Sequence, residues 1–218
     1  MGRPKDGYFI DGERVPSVTT ILSRYKESGG LLYWAWQQGK DGKDFRETRD
    51  AAADAGTCAH EMVECDIRGK AFDASKYKPE TFIKADGAYQ GYLEWKDQTK
   101  LEVADTEVSL VSRTHRFGGT LDAMLVRGKL SLGDWKTSGG IYVDYLLQLA
   151  AYELLWEENH PTQPIDGGFY LLRFSKQESP DDPISFAQHY WSDLSIARAC
   201  FLHLRAAYDL DKRLKKLC

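Results

Sequence analysis

The chain is poor in cysteine, has no long apolar run and carries no surplus of positive charge, and each shortage excludes something. Its four cysteines (Cys58, Cys65, Cys200 and Cys218) form no C-x-x-C pair and no disulfide-like framework. No stretch approaches the length of a membrane span, and the opening Met1-Gly-Arg-Pro-Lys starts no apolar signal core. An intracellular, cytoplasmic protein with no membrane partner is therefore expected. Internal repeats and low-complexity segments are also absent. What remains is an ordinary globular composition, 42% hydrophobic and 28% charged over 218 residues, enough for a single domain.

The pattern along the chain predicts its elements. Tyr8 to Val15 reads as a small hairpin around Asp11-Gly12. Ser17 caps a short helix running to Tyr25, which Ser28-Gly29-Gly30 breaks, and Leu31 to Gln38 forms an aromatic-rich second helix. A long helix is predicted over Phe45–Arg68, a loop over Lys70–Lys78, and a further helix from Pro79 to Thr99. Strand-like segments follow at 102–112, 116–127 and 130–137, then a helix over Tyr142–Glu158 ended by His160-Pro161. Strands at Gly167–Phe174 and Ile184–Trp191, joined by a Ser175–Pro183 loop, precede a last helix over Asp193–Lys215. The expected class is α/β: a mainly helical part over residues 1–100, a mixed sheet with its helix over 101–192, and a C-terminal helix over 193–218.

The segment carrying the chemistry is Arg116-Phe-Gly-Gly-Thr-Leu-Asp-Ala-Met-Leu-Val-Arg-Gly-Lys-Leu-Ser-Leu-Gly-Asp-Trp-Lys-Thr-Ser138. Gly128-Lys129 is a tight turn between two alternating segments, so a hairpin sets Asp122 beside Asp134 on the neighbouring strand. Residues i and i+2 of a strand share a face, so Asp134 and Lys136 point together while Trp135 turns to the other side. Two carboxylates and an ammonium then converge. Acids on inward strand positions are costly without a partner, and hard divalent cations such as Mg²⁺ or Mn²⁺ are held by such carboxylates. Two helical segments add polar residues at one-turn spacing: His60 with Glu64, and Gln148 with Tyr152.

These residues in this order resemble the motifs of the PD-(D/E)XK nucleases: G56-x-x-x-H60, a glutamate at Glu107, G119-T-x-D122, G133-D-x-K-T-S138 and Q148-L-x-x-Y152. The chain is most similar to the RecB-like exonuclease branch, with mitochondrial genome maintenance exonucleases and phage relatives, over about residues 15–155. The opening V15-P-S-V-T-T-I-L22 is similar as well. The resemblance implies a restriction-endonuclease-like core and a Mg²⁺- or Mn²⁺-dependent deoxyribonuclease, an exonuclease acting on ends or single strands. A structure-specific or nicking endonuclease is the alternative within enzymes. A nuclease-fold binding subunit working with a helicase or recombinase is the alternative outside them.

The resemblance assigns one or two ions to His60, Asp122, Asp134 and the Trp135 carbonyl, with Lys136 aligning water at the phosphate. Gln148 and Tyr152 then either hold the scissile phosphate or support Lys136, against the plainer reading of a hydrogen bond inside the core. Glu107 either supports the ligands or holds a second ion, or is a solvent-facing acid. Glu64 is expected to orient His60 or a metal-bound water, and His60 itself has the alternative of a core histidine. Arg113, Arg116, Lys129, Arg173 and Lys176 are candidate DNA contacts, and Trp34 and Trp36 candidate stacking rings, with core packing as their alternative. No iron–sulfur cluster is expected, because the late cysteine trio it needs is missing. DNA is the expected partner, with a helicase, recombinase or single-strand-binding protein beside it. The net charge of −4 does not oppose this, since cations offset acids concentrated at a metal centre. The basic Lys212–Lys216 run reads as a solvated helix end.

Overall fold

The structure is a computed structural model that describes residues 4, 6–25, 29–138, 140–176 and 185–217. Ser28, Cys218 and most of the expected 175–183 loop lie outside the described residues, as does Ile184.

A two-stranded hairpin opens the chain, β1 (Tyr8–Ile10) and β2 (Glu13–Val15). Its turn holds Asp11 at φ 50° and Gly12 at φ 82°, the two left-handed positions of a primed hairpin turn. The Ser17 hydroxyl accepts the Thr20 N–H at 3.0 Å and so caps α1 (Val18–Tyr25). Then come α2 (Gly29–Lys40), α3 (Phe45–Ile67) and α4 (Pro79–Thr99). Asp44 caps α3 through the Arg46 N–H, and Gly69 at φ 60° turns the chain away at its other end. The expected 70–78 loop contains one short helical turn, Ala74–Lys76, capped by Asp73.

The central sheet has five strands: β3 (Glu102–Ser112), β4 (Phe117–Val126), β5 (Leu130–Lys136), β6 (Phe169–Phe174) and β7 (Phe186–Trp191). They lie side by side in that order, antiparallel except between β5 and β6. The parallel step is reached through the crossover helix α5 (Val143–Asn159), as parallel neighbours require. Helix α6 (Ser195–Leu214) closes the chain. The molecule is thus α/β, a mixed five-stranded sheet flanked by helices, consistent with the restriction-endonuclease-like expectation. Among the described residues, no helix is long and apolar enough to cross a membrane.

Each face of the sheet has its own core. Phe169 and Leu171 of β6 pack with Leu132, Leu149, Leu155 and Phe201, under α1, α5 and α6. Leu172 and Phe174 point the other way, against Trp135, Tyr92, Trp95, Met62 and Cys58 under α3 and α4. Burial pushes the Cys58 thiol up to about 11, so it is an inert packing group, whereas Cys65 is only half-buried. The alternation that holds along β6 slips in β4. Leu121 and Met124, three apart, belong to one core, while Ala123 and Leu125 belong to the other. The interruption falls at Asp122.

Candidate metal centre

The register of β4 against β5 runs from Val126↔Leu130 to Ala123↔Gly133, which leaves Asp122 opposite Asp134 one step further on. The last contact is made by a side chain, since Asp122 Oδ2 accepts the Trp135 N–H at 3.1 Å. On the other side of β4 the ladder pairs Thr106 with Ala123 and Val108 with Leu121, passing over Glu107 and Asp122. Glu107 adopts φ 54°, a left-handed conformation that costs a non-glycine residue about 1–3 kcal/mol and persists where the surroundings enforce it. One ligating atom each from His60, Glu107 and Asp122 lies within 4.8 Å of the others.

Asp134 lies beside Asp122, outside the three residues whose ligating atoms come together. It is fully buried, and neither carboxylate oxygen has an aligned hydrogen-bond donor among the described residues. Its one close cation is Lys136, 2.6 Å from Oδ2, an ion pair by distance without hydrogen-bond alignment. Burial and the neighbouring Asp122 together outweigh Lys136 and push the Asp134 carboxyl up to about 7. Burial, with Glu107 opposite, raises Asp122 as well, despite Lys136. For Lys136, burial acts to lower the pKa, but Asp134 and Asp122 prevail and hold it above its ordinary value. Asp122 and Asp134 thus share one ammonium.

His60 approaches from α3. Gly56, one turn earlier, lets that helix lie close over β5: a Cβ there would sit 3.2 Å from Thr137 Oγ1. The ring is half-buried beside the Trp135 backbone, which favours its protonated form. Burial first and Lys136 second pull its pKa down, so the imidazole is neutral at neutral pH and keeps a lone pair for a ligand. Trp135 itself turns to the far face and packs edge-on against Tyr92 and Trp95.

Lys136 is held by two groups besides the acids, one of them fixed in turn by a third. Its Nζ donates to Gln148 Oε1 at 3.2 Å, Gln148 Nε2 donates to the Tyr152 hydroxyl at 2.7 Å, and the Tyr145 ring faces the ammonium at 5.0 Å. Gly119 is the reason Tyr152 fits, since a Cβ at that position would lie 2.8 Å from the ring. Above the cluster opens a cleft of about 350 Å³ lined by His60, Glu107, Asp122, Gln148 and Tyr152, with hydroxyls from Ser17, Thr19, Thr57 and Thr120.

The remaining sequence expectations divide. Glu64 is paired with Arg68 at 3.1 Å, and Arg68 in turn donates to the Thr106 carbonyl on β3. Lys176 reaches α3, donating to the Ala52 carbonyl, and its charge is felt at His60. Arg173 lies opposite Lys136 in the β5–β6 register. Arg113 and Arg116 instead tie the opening hairpin to the sheet through Asp11 and Glu13. Lys129 sits at the β4–β5 turn, at the other end of the hairpin from Asp122. Trp34 packs edge-on against Phe45, while Tyr33 and Trp36 are the exposed rings of α2. Two contributors have no signal in the sequence: Tyr145 on Lys136, and the left-handed turn of Glu107 inside a strand.

No protein family matches the chain by sequence, and no curated protein does either. Among solved structures it is similar to the putative exonuclease of Eubacterium rectale, at 12% identity and a TM-score of 0.46, over 94% of this chain and 76% of that one. It is also similar to an alkaline exonuclease from Laribacter hongkongensis, at 14% identity and a TM-score of 0.35, over 73% of this chain and 84% of that one. The complex of that enzyme with dAMP gives 16% identity and 0.31, over 77% and 97% of the two chains. Overlaps this loose leave the reading of the site to its own geometry.

Proposed function

We propose that the protein is a metal-dependent deoxyribonuclease, an exonuclease acting on DNA ends or single strands. The observation carrying this is the charge imbalance: Asp122 and the fully buried Asp134 share one lysine, and His60 and Glu107 bring ligating atoms to within 4.8 Å of that of Asp122. Carboxylates in such a place are costly unless a cation joins them, and oxygen ligands with one imidazole suit Mg²⁺ or Mn²⁺. His60, Glu107 and Asp122 would hold the ion, and Asp134, beside Asp122, would add a further carboxylate. When bound, it supplies an activated water and a polarised phosphoryl oxygen.

The protein's own residues do the rest. Lys136, fixed by Asp134, Gln148 and Tyr145, presents its ammonium where charge grows on the phosphoryl oxygens. Gln148 is itself oriented by Tyr152, so the lysine does not need to reorganise during reaction. The Trp135 backbone orients His60, an arrangement that fixes which ring nitrogen is left to face a cation. The hydroxyl-lined cleft has the size of a small-ligand pocket and suits one nucleotide at a time better than an intact duplex.

Digestion of matched linear and closed-circular, single- and double-stranded DNA with Mg²⁺ or Mn²⁺ tests the reading. Linear substrates should be consumed and closed circles spared. Cutting of circles would turn the assignment to an endonuclease, and cleavage of nothing with either ion would remove the enzyme reading.

A further inference from the structure

Beside the catalytic cleft lies a second groove, of about 580 Å³, lined by Pro4, Gly7 and Tyr8, by Arg14, Ser17 and Thr20, and by Tyr208 and Lys212. Tyr8 and Ser17 line both cavities, so the two meet across a shared wall. Among the described residues no acid lines this groove, in a chain whose net charge is −4. Of the carboxylates near it in sequence, Asp6 is exposed beside Gly7, and the others are engaged elsewhere. Glu13 pairs with Arg116, Asp209 with Arg205 at 2.7 Å, and Asp211 with Arg24 at 2.8 Å and Lys215 at 3.3 Å. Arg14 and Lys212 are left: both are exposed, and neither is in an ion pair among the described residues. Lys212 lies over the Tyr208 ring, 6.0 Å from its centre, and Arg205 over the same ring at 5.9 Å. Two cations outside any ion pair among the described residues, two hydroxyls and an aromatic ring, adjoining the proposed phosphodiester-cleaving cleft, are what a single strand needs for its phosphates and a base.

We propose that this groove is the track for the strand beyond the catalytic cleft, with Arg14 and Lys212 on consecutive parts of the phosphate backbone and Tyr208 under a base. The proposal rests on the nuclease reading only for what the strand is doing there. It assigns Lys212 a ligand, where the sequence alone suggested a solvated helix end.

The test is the double variant Arg14→Gln/Lys212→Gln, both positions being exposed, with Lys70→Gln/Lys78→Gln on the connection between α3 and α4 as the charge-matched control. Binding of a fluorescent 20-nucleotide single strand is measured with Ca²⁺ in place of the active metal, across a salt series, and cleavage of bis(4-nitrophenyl) phosphate with Mn²⁺. Each phosphate contact on a single strand contributes about 0.7 to the slope of log affinity against log salt, so losing two should lower it by about 1.4. Between 50 and 200 mM salt the groove variant should then lose about sevenfold less affinity than the wild type. Its rate on the small phosphodiester should be unchanged. Affinity and slope equal to those of the wild type, or a loss matched by the control, would overturn the track. Wild-type binding that depends on the groove, without cleavage of any strand, would overturn the nuclease reading and leave the track standing.

Discussion

Asp134→Asn should stabilise the metal-free protein and make it insensitive to metal. Burial and Asp122 raise the Asp134 carboxyl to about 7 from an ordinary value of 3.8. The folded state therefore binds this proton more tightly than the unfolded state does. Stability is lost as pH rises from about 4 through 7, and above 7 the full cost of the buried carboxylate is present. At about 1.4 kcal/mol per pH unit the ceiling is about 4 kcal/mol, and the loss of an anion beside Lys136 offsets part of it. A net gain of about 2 kcal/mol at pH 8 corresponds to roughly 4–8 °C in Tm for a chain of this size. Metal reverses the order. An ion at a hundredfold excess over its Kd stabilises the wild type by about 2.7 kcal/mol, and the variant should gain much less. Thermal melts at pH 8 in EDTA and in Mn²⁺ read both effects. An Asp134→Asn protein that melts below the wild type in EDTA, or shares its full Mn²⁺ shift, would refute the charge-imbalance argument.

Three further outcomes are expected. Lys136→Ala should keep calorimetric Mn²⁺ binding while losing at least a hundredfold in turnover, because the lysine faces the phosphoryl group and does not ligate the ion; a loss of metal binding as large as that of Asp122→Ala would refute it. His60→Ala should lose activity steeply in Mg²⁺ and recover part of it at high Mn²⁺, whereas a histidine that only fills the core would cost Tm and respond to neither ion. Away from the site, burial and Glu157, outweighing Arg198, raise Glu153 to about 7, so its burden on the fold appears as pH rises from about 4.5 through 7. Glu153→Gln should therefore match the wild type in urea melts near pH 4.5 and exceed it by about 1–2 kcal/mol at pH 8, and equal stability at pH 8 would show the carboxylate to be well solvated.

Most of the fold was legible because its signals are local. The Asp11-Gly12 and Gly128-Lys129 turns, the Ser17 cap, Pro79 at the start of α4 and the alternation of β5 and β6 each report on neighbours in sequence. The Asp134, Trp135 and Lys136 directions followed from strand period alone, and the structure places them so. Position 107 was not legible in this way. Whether a glutamate in Thr-Glu-Val-Ser faces solvent or a metal depends on one backbone angle, and nothing in its neighbours requires φ to be positive. The paired status of Arg113 and Arg116 was equally hidden, because their partners Asp11 and Glu13 are about a hundred residues away.

The slip in β4 ties these observations together. A regular ladder would pair Glu107 with Asp122 directly and send both carboxylates to the same face on adjacent strands, where their repulsion would weigh on the sheet. The left-handed residue removes that pairing, and Leu121 and Met124 absorb the change of phase into a single core. The strand thereby gives up one step of its ladder at the place where two acids and His60 must converge on a point rather than on a plane. A substitution that favours regular strand geometry, Glu107→Val, should on this reasoning leave the fold intact and shift stability little, since a lost metal ligand is exchanged for a relaxed backbone. Its Mn²⁺-induced rise in Tm should shrink sharply. If the variant kept the full metal shift, the kink would be a feature of packing and Glu107 no part of the metal site.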